Sequence, residues 1–327
     1  MRRLTAPLVD LYAPIRDELA KTQLIFDAEL VSALPFVNEL CARIRSYHGK
    51  MMRPALLLLC GEASGELTEA HPTLAAVVEM VHMATLAHDD VLDDADERRR
   101  EPTIRATDGN ITAVLLGDYL ISHAFHLCSR LNDPYASRRV GATTNLVCEG
   151  ELLQNRECGN DALTESQYLD IIRCKTGALT AVACELGARE AGADNRSVEA
   201  MTHYGLAVGT AFQIVDDVLD IVGDEREVGK TLGLDLASGK LTLASIHALA
   251  NADATTQAAL RAVACGEATC DIEQLRGWLA ETRSVEYALS VAAEYVHNAI
   301  RQLDLLPPSE ARSSLTALAE FIVHRRF

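Results

Sequence analysis

The sequence predicts an all-α protein, and three observations carry that expectation. Nearly every stretch repeats its apolar residues at the 3.6-residue period of a helix. Almost none alternates as a half-buried strand would, and no Pro/Gly/Ser-rich linker or shift of composition divides the chain. At 327 residues it is long enough for one large domain or two ordinary ones, and the unbroken pattern favours a single domain over 1–327.

Residues 7–33 give one amphipathic helix and 35–47 a second. The segment 48–54, HGKMMRP, is a glycine-marked joint leading to an apolar helix over 55–61. Pro72 opens a long helix as a first-turn proline, and that helix runs into the acidic tract Asp89-Asp90-Val91-Leu92-Asp93. The polar segment 94–110 is a loop or a frayed helix end, 111–129 is helical, Asn132-Asp133-Pro134 is a breaker and 135–154 is a helix. After a turn at Gly159-Asn160-Asp161, residues 164–192 hold two helical stretches bent near Lys175-Thr176-Gly177. Residues 195–222 form a second acid-tipped helix, followed by a glycine- and charge-rich loop over 223–240, of the long kind that carries function. Helices over 241–250, 255–263, 271–282, 285–303 and 309–327 complete the chain.

Asp and Glu outnumber Lys and Arg by 47 to 30, a formal charge of −17, which disfavours nonspecific binding to nucleic acid or an anionic membrane. The nine cysteines form no CxxC pair and fall mostly within helical patterns, as small core residues of a reducing cytoplasm do. Asp10 and Arg16 interrupt the apolar region at the start, so it does not read as a signal peptide, and apolar runs such as 54–61 fall short of a membrane span. A soluble, cytoplasmic protein is expected.

Chemistry concentrates at the two acidic helix ends. Asp89 and Asp93 lie four apart and therefore on one helix face, with His82 two turns earlier on the same face. Like charges at that spacing cost stability unless a cation intervenes. Asp216, Asp217 and Asp220 repeat the pattern, again after an apolar run. One such tract usually marks a solvated helix face; two, each closing a greasy helix, point to a hard divalent ion such as Mg²⁺ held through carboxylates and substrate phosphates. Phosphates also need cations and donors. Lys50 and Arg53 sit three apart at the glycine joint, Arg98, Arg99 and Arg100 trail the first tract, Lys175-Thr176 mark the bend, and Lys230 and Lys240 follow the second tract. Gln213, three residues before Asp216, presents an amide to the same side, and Phe212 offers a π face to a developing cation. His88 points away from the Asp89 face and reads as structural.

These residues together resemble the trans-isoprenyl diphosphate synthase (polyprenyl synthetase) family. The resemblance runs from about His48 to the C-terminus, on Gly49-Lys50-Met51-Met52-Arg53-Pro54, His82, Asp89 to Asp93 with Arg98-Arg99, Lys175-Thr176, Gln213 to Asp220, Lys230 and Lys240. It implies the isoprenoid-synthase fold, a single-domain orthogonal helical bundle around an elongated cavity, as a homodimer. It also implies that Lys50, Arg53, His82 and Arg99 bind isopentenyl diphosphate. Asp89, Asp90, Asp93, Asp216 and Asp220 would hold Mg²⁺ against an allylic diphosphate, helped by Arg98, Lys175, Thr176, Gln213, Lys230 and Lys240. Met51 stands where the family usually has a basic residue, and Leu241 where it usually has proline.

The chemistry expected is ionisation of the allylic diphosphate, attack by the double bond of isopentenyl diphosphate and loss of a proton to the released pyrophosphate. Going back from Asp89, Thr85, Ala84, Val81 and Val78 lie roughly 6 to 17 Å down the helix, with no aromatic among them. In the family this chain resembles, bulky aromatics just before the first tract go with short products, so the small Ala84 and Thr85 imply geranylgeranyl or longer products, octaprenyl-like. Three rivals are a non-catalytic subunit of a heteromeric synthase, a metal-dependent phosphohydrolase using His88-Asp89, and a terpene cyclase. The first typically loses one aspartate tract, the second leaves Asp216 to Asp220 unexplained, and the third calls for a more aromatic pocket than 5% aromatic residues suggest.

Overall fold

Pro14 breaks the expected N-terminal helix. The computed structural model, which describes residues 8–47, 49–98, 100–223 and 233–324, has there a turn of helix α1 (Leu8–Leu11), a 3₁₀ turn over Ala13–Ile15 and α2 (Arg16–Glu29). Proline has no N–H to continue the ladder, and the period alone hid that interruption. Then follow α3 (Pro35–Ser46), α4 (Met52–Ser64) and α5 (Ala70–Leu92). The α5 helix begins two residues before Pro72, which therefore occupies its first turn.

The segment expected to be a loop or a frayed helix end after α5 is ordered. Glu97–Arg98 (β1) and Glu101–Pro102 (β2) pair antiparallel, and they are the only strands among the described residues. Thr103 then caps α6 (Ile104–Asp108), its hydroxyl accepting from the Ala106 N–H at 3.0 Å and donating to the Ala95 carbonyl at 2.7 Å. Two-residue strands and one-turn helices leave no periodic signature. The chain continues through α7 (Asn110–Ser129), α8 (Tyr135–Glu157), α9 (Glu165–Ile172), α10 (Ala178–Glu190) and α11 (Asn195–Val222). After a helical turn at Leu234–Ala237 come helices over Leu243–Asn251, Ala254–Ala264, Ile272–Glu281, Ser284–Gln302 and Glu310–His324.

The described residues group into two compact units that interleave along the chain. One lies within Met1–Thr144, Leu179–Gly205 and Gln302–Leu318; the other lies within Asn145–Ala178, Leu206–Arg301 and Ala319–Phe327. In the first unit α5 packs against α7, α4 and α2, and its residues from Leu74 to Met83 are buried except His82. Contact with α7 is close because Gly117 has no side chain: a Cβ there would sit 2.1 Å from His88 Nε2. That imidazole nitrogen donates instead to the Val114 carbonyl at 3.1 Å. At the start of α5, His71 is fully buried, accepting the Thr68 N–H on Nδ1 at 2.8 Å and donating from Nε2 to the Gly187 carbonyl at 3.0 Å. Tyr204 is likewise buried and donates to the Leu315 carbonyl at 2.7 Å.

By length and composition α7 is apolar enough to cross a membrane, which no run in the sequence had suggested. Ala113, Leu116, Leu120, Ala124 and Leu127 form a buried face on it, and α7 packs on α5, while Ile111 and Leu115 stay exposed.

In the second unit, Thr164 and Gln167 form a reciprocal capping box at the start of α9. The bend expected near Lys175 is a π turn over Arg173–Gly177, in which the Ala178 N–H reaches the Arg173 carbonyl. Gly150 of α8 lets that turn approach, since a Cβ there would lie 2.8 Å from both Cys174 Cβ and the Lys175 nitrogen. Single π turns inside helices occur frequently at functional sites. The Gly239 carbonyl accepts the Gly159 N–H at 2.9 Å and ties down the end of the glycine-rich loop.

Candidate active site

In the first unit the glycine joint supplies a short segment of unusual backbone. Met51 has φ 49°, in the left-handed region, and turns the chain into α4. The Lys50 carbonyl just before it accepts the Tyr12 hydroxyl at 2.9 Å, while the Lys50 side chain is exposed. Arg53, in the first turn of α4, places Nη1 3.0 Å from His82 Nε2. A guanidinium only donates, so His82 accepts on Nε2 and its proton sits on Nδ1. Buried Glu79, one turn before His82 on α5, supports the Arg53 charge, although burial pulls the guanidinium below its ordinary value. The role of Glu79 escaped the sequence reading. The signal was available: a lone acid inside the apolar run Ala75 to Val81 needs a cation.

The three acids of the first tract do not act alike. Asp89 is half-buried and Asp93 exposed at the end of α5, whereas Asp90 is 1% exposed. Arg98 of β1 grips the Asp90 Oδ1 with Nε at 2.9 Å and Nη2 at 2.8 Å. Burial raises the Asp90 carboxyl above its usual range, opposed by that guanidinium. The hairpin thus folds back on the helix, and Asp90 holds Arg98 where the sequence reading placed it beside Asp89 as a metal ligand. Arg105 steadies the same segment, bonding Asp94 and Asp96 at 2.7 Å each. Arg99 lies outside the described residues.

In the second unit the π turn joins Lys175 and Thr176 to Gln213 on α11. The Thr176 hydroxyl donates to Gln213 Oε1 at 2.7 Å, and Gln213 Nε2 donates to Asp217 Oδ1 at 2.7 Å. Tyr168 completes the chain, its hydroxyl donating to Asp217 Oδ2 at 2.6 Å. These bonds fix which way the Gln213 amide points and leave it one further N–H. Burial, and after it the charge of Asp235, pushes the Asp217 carboxyl well above the usual carboxylate range. Lys175 Nζ lies 2.6 Å from Glu151 Oε2 and 2.9 Å from Gln154 Oε1, both on α8. Asp216 and Phe212 are half-buried on α11, and Asp220 is 3% exposed. Lys240 is half-buried and its N–H meets the Asp235 carbonyl at 2.8 Å. Lys230 lies outside the described residues. Tyr168, Asp217 and the Glu151–Gln154 pair went unread as site residues, because contacts between helices carry no spacing rule.

The donor sets suit a hard divalent cation. Each tract offers carboxylate oxygens without His or Cys, and Asp89 with Asp93 and Asp216 with Asp220 repeat at one-turn spacing. Each tract has one acid already bonded to a donor, Asp90 to the Arg98 guanidinium and Asp217 to the Gln213 amide.

The chain belongs to the polyprenyl synthetase family, whose family model matches residues 35–281. It is therefore a prenyltransferase of the kind that builds polyprenyl diphosphates. It is 34% identical over 316 residues to the heptaprenyl diphosphate synthase component 2 of Bacillus subtilis, covering 97% of this chain and 90% of that protein. It is 35% identical over 301 residues to the octaprenyl diphosphate synthase of Haemophilus influenzae, covering 92% of each. The polyprenyl synthase from Caulobacter crescentus, solved in complex with calcium and isoprenyl diphosphate, superposes with a TM-score of 0.94 at 31% identity over the full length of both chains. The helical architecture is thus that of the isoprenoid synthases.

Proposed function

We propose that the chain condenses isopentenyl diphosphate with an allylic diphosphate to a long trans-polyprenyl diphosphate, octaprenyl-like in length, with release of pyrophosphate. The observation that carries this is the presence of both carboxylate sets, Asp89 with Asp93 and Asp216 with Asp220, each in a tract whose other acid is bonded to a guanidinium or amide donor. Long products are supported by the heptaprenyl and octaprenyl relatives and by the small side chains of Ala84 and Thr85 in the turn before Asp89.

Asp89, Asp93, Asp216 and Asp220 would hold Mg²⁺, which when bound supplies positive charge against the departing pyrophosphate. Lys175, Thr176, Gln213, Lys240 and Lys230 bind and orient the allylic diphosphate, with Arg98 set in place by Asp90. Lys50, Arg53, His82 and Arg99 take the diphosphate of isopentenyl diphosphate. His82 contributes its Nδ1–H, because Arg53 already uses Nε2. The allylic C–O bond breaks as the leaving oxygens gain charge, and these donors stabilise that charge. The double bond of isopentenyl diphosphate then forms the new C–C bond, and the proton it loses goes to pyrophosphate. Water has to be kept from the cation, which it would otherwise capture.

We further propose a cytoplasmic homodimer working as one catalytic domain over 1–327. All nine cysteines are free thiols, which supports a reducing compartment. On α7, Ile111 is 78% and Leu115 61% exposed, apolar area that a second copy would cover. A second reading has support as well: the Bacillus subtilis relative is named component 2, so this chain would then need a partner chain for turnover. Incubating the purified chain alone with Mg²⁺, isopentenyl diphosphate and dimethylallyl, geranyl or farnesyl diphosphate, then sizing the products, separates the readings. Long prenyl diphosphates and pyrophosphate are expected. A folded chain inactive with every primer would favour the partnered reading, and release of phosphate in place of pyrophosphate would sink the proposal.

A further inference from the structure

We propose that Glu29, His123 and His126 form a binding site for a first-row transition ion, separate from the aspartate tracts. Glu29 is the last residue of α2, and His123 and His126 stand three apart on one face of α7. Glu29 Oε1 lies 2.9 Å from His123 Nδ1 and 2.6 Å from His126 Nδ1, and the three donor atoms all fall within 4.8 Å of one another. The carboxylate side chain is only 9% exposed, so it is no solvated surface acid. Without a metal it is held by two imidazole N–H groups.

The donor set is two imidazoles and one carboxylate, which suits Zn²⁺, Ni²⁺ or Cu²⁺ and not the oxygen-preferring Mg²⁺. Bonds of about 2.0–2.2 Å put donor atoms about 3 to 3.5 Å apart, so each imidazole nitrogen has to step back from Glu29 Oε1 by less than an ångström to admit the ion. His126 can do so: its side chain is 60% exposed, and that exposure also gives the ion its entry and leaves positions for water. Binding shifts each ring proton from Nδ1 to Nε2 and frees Nδ1 to ligate. Other groups face the site. Arg130 Nη1 stands 3.9 Å from Glu29 Oε2, and at 65% exposure it can swing into solvent. The Tyr119 ring lies tilted against His123 with centroids 4.3 Å apart and limits that imidazole to small movements. Leu115, on the apolar face of α7, is about 16 Å back along the helix from His126, so a partner covering Leu115 can leave the site open. An ion held here would clamp α2 to α7, the helix against which α5 packs most extensively.

The experiment titrates the purified full-length chain with Zn²⁺ against a chromophoric chelator, in excess Mg²⁺ so that the aspartates are occupied. One Zn²⁺ per chain is expected, with at least tenfold weaker binding in His126→Ala and Glu29→Gln and no change in Asp89→Ala. Substituting Co²⁺ should give visible absorption bands that disappear in His126→Ala. Failure to retain zinc in excess Mg²⁺ would overturn the proposal. So would zinc retained equally by His126→Ala, as when exposed thiols such as Cys148 or Cys265 hold it. The exposed position of His126 keeps the comparison valid even where Glu29→Gln fails to fold.

Discussion

The Tyr168 hydroxyl donates to Asp217 Oδ2 at 2.6 Å, and through Asp217 it sets the orientation of Gln213. If Gln213 binds the allylic diphosphate as proposed, Tyr168 acts as a positioning residue. Leaving a buried acceptor without its donor costs about 1–3 kcal/mol, so Tyr168→Phe should weaken the hold on the Gln213 amide. We expect kcat/KM for the allylic diphosphate to fall roughly tenfold, carried mainly by KM. Steady-state kinetics of Tyr168→Phe against Gln213→Ala will check it. Unaltered kinetics in the tyrosine variant would remove Tyr168 from the site.

Asp89 and Asp90 are neighbours with different work. Asp89→Ala should lower turnover by about 10²-fold or more, by analogy with loss of a principal charge-stabilising group, while leaving folding stability nearly unchanged. Asp90→Ala breaks a carboxylate–guanidinium pair that is buried on the acid side and 26% exposed on the Arg98 side. Full burial of both partners costs about 3–5 kcal/mol on truncation; with partial solvent access we expect about 2 kcal/mol of lost stability. Urea denaturation and activity measured side by side will separate the two effects, and equal stability losses for the two variants would contradict the assignment.

Ala84 is fully buried on α5 between Val81 and Thr85, one turn and more below Asp89. Ala84→Phe should shorten the product toward geranylgeranyl or farnesyl length. Chromatography of dephosphorylated products gives the answer, and a product spectrum identical to wild type would refute this account of chain length.

His71 predicts a pH dependence of stability. Burial holds its imidazole below the ordinary value, and the Thr68 N–H occupies Nδ1, the nitrogen that would be protonated. The unfolded chain therefore takes up the proton first. Stability from the neutral ring is complete above about pH 6.5, the unfolded value, and is lost as pH falls from there toward the folded value. The urea midpoint should drop between pH 7.5 and 5.5, and His71→Gln should flatten that drop. A midpoint with the same slope in the variant would show that another group is responsible.

Much of this was legible in the sequence. The ends of α5 and α11 announced themselves through repeated acids after apolar runs, and the Lys175-Thr176-Gly177 bend is where the π turn lies. Pro14 and the 97–102 hairpin were misread, because a single proline inside a good period and a four-residue ladder change too few positions to alter a pattern. Asp90 was grouped with Asp89 and Asp93 although it lies about 100° round the helix from Asp89; its partner Arg98 is set by the hairpin, and no helical spacing shows that. Asp217, left out of that ligand set, likewise has a partner no spacing shows, a tyrosine on another helix.

The absent side chain at Gly117 ties two positions into one choice. Because His88 Nε2 occupies the volume a methyl group would need, any larger residue at 117 must either tilt α7 off α5 or displace an imidazole beside Asp89. Gly117→Ala alone should therefore disturb the neighbouring carboxylate as well as the packing, and pairing it with His88→Ala should restore much of the loss. Among natural variants, the residue at 117 is expected to grow only where the one at 88 has shrunk.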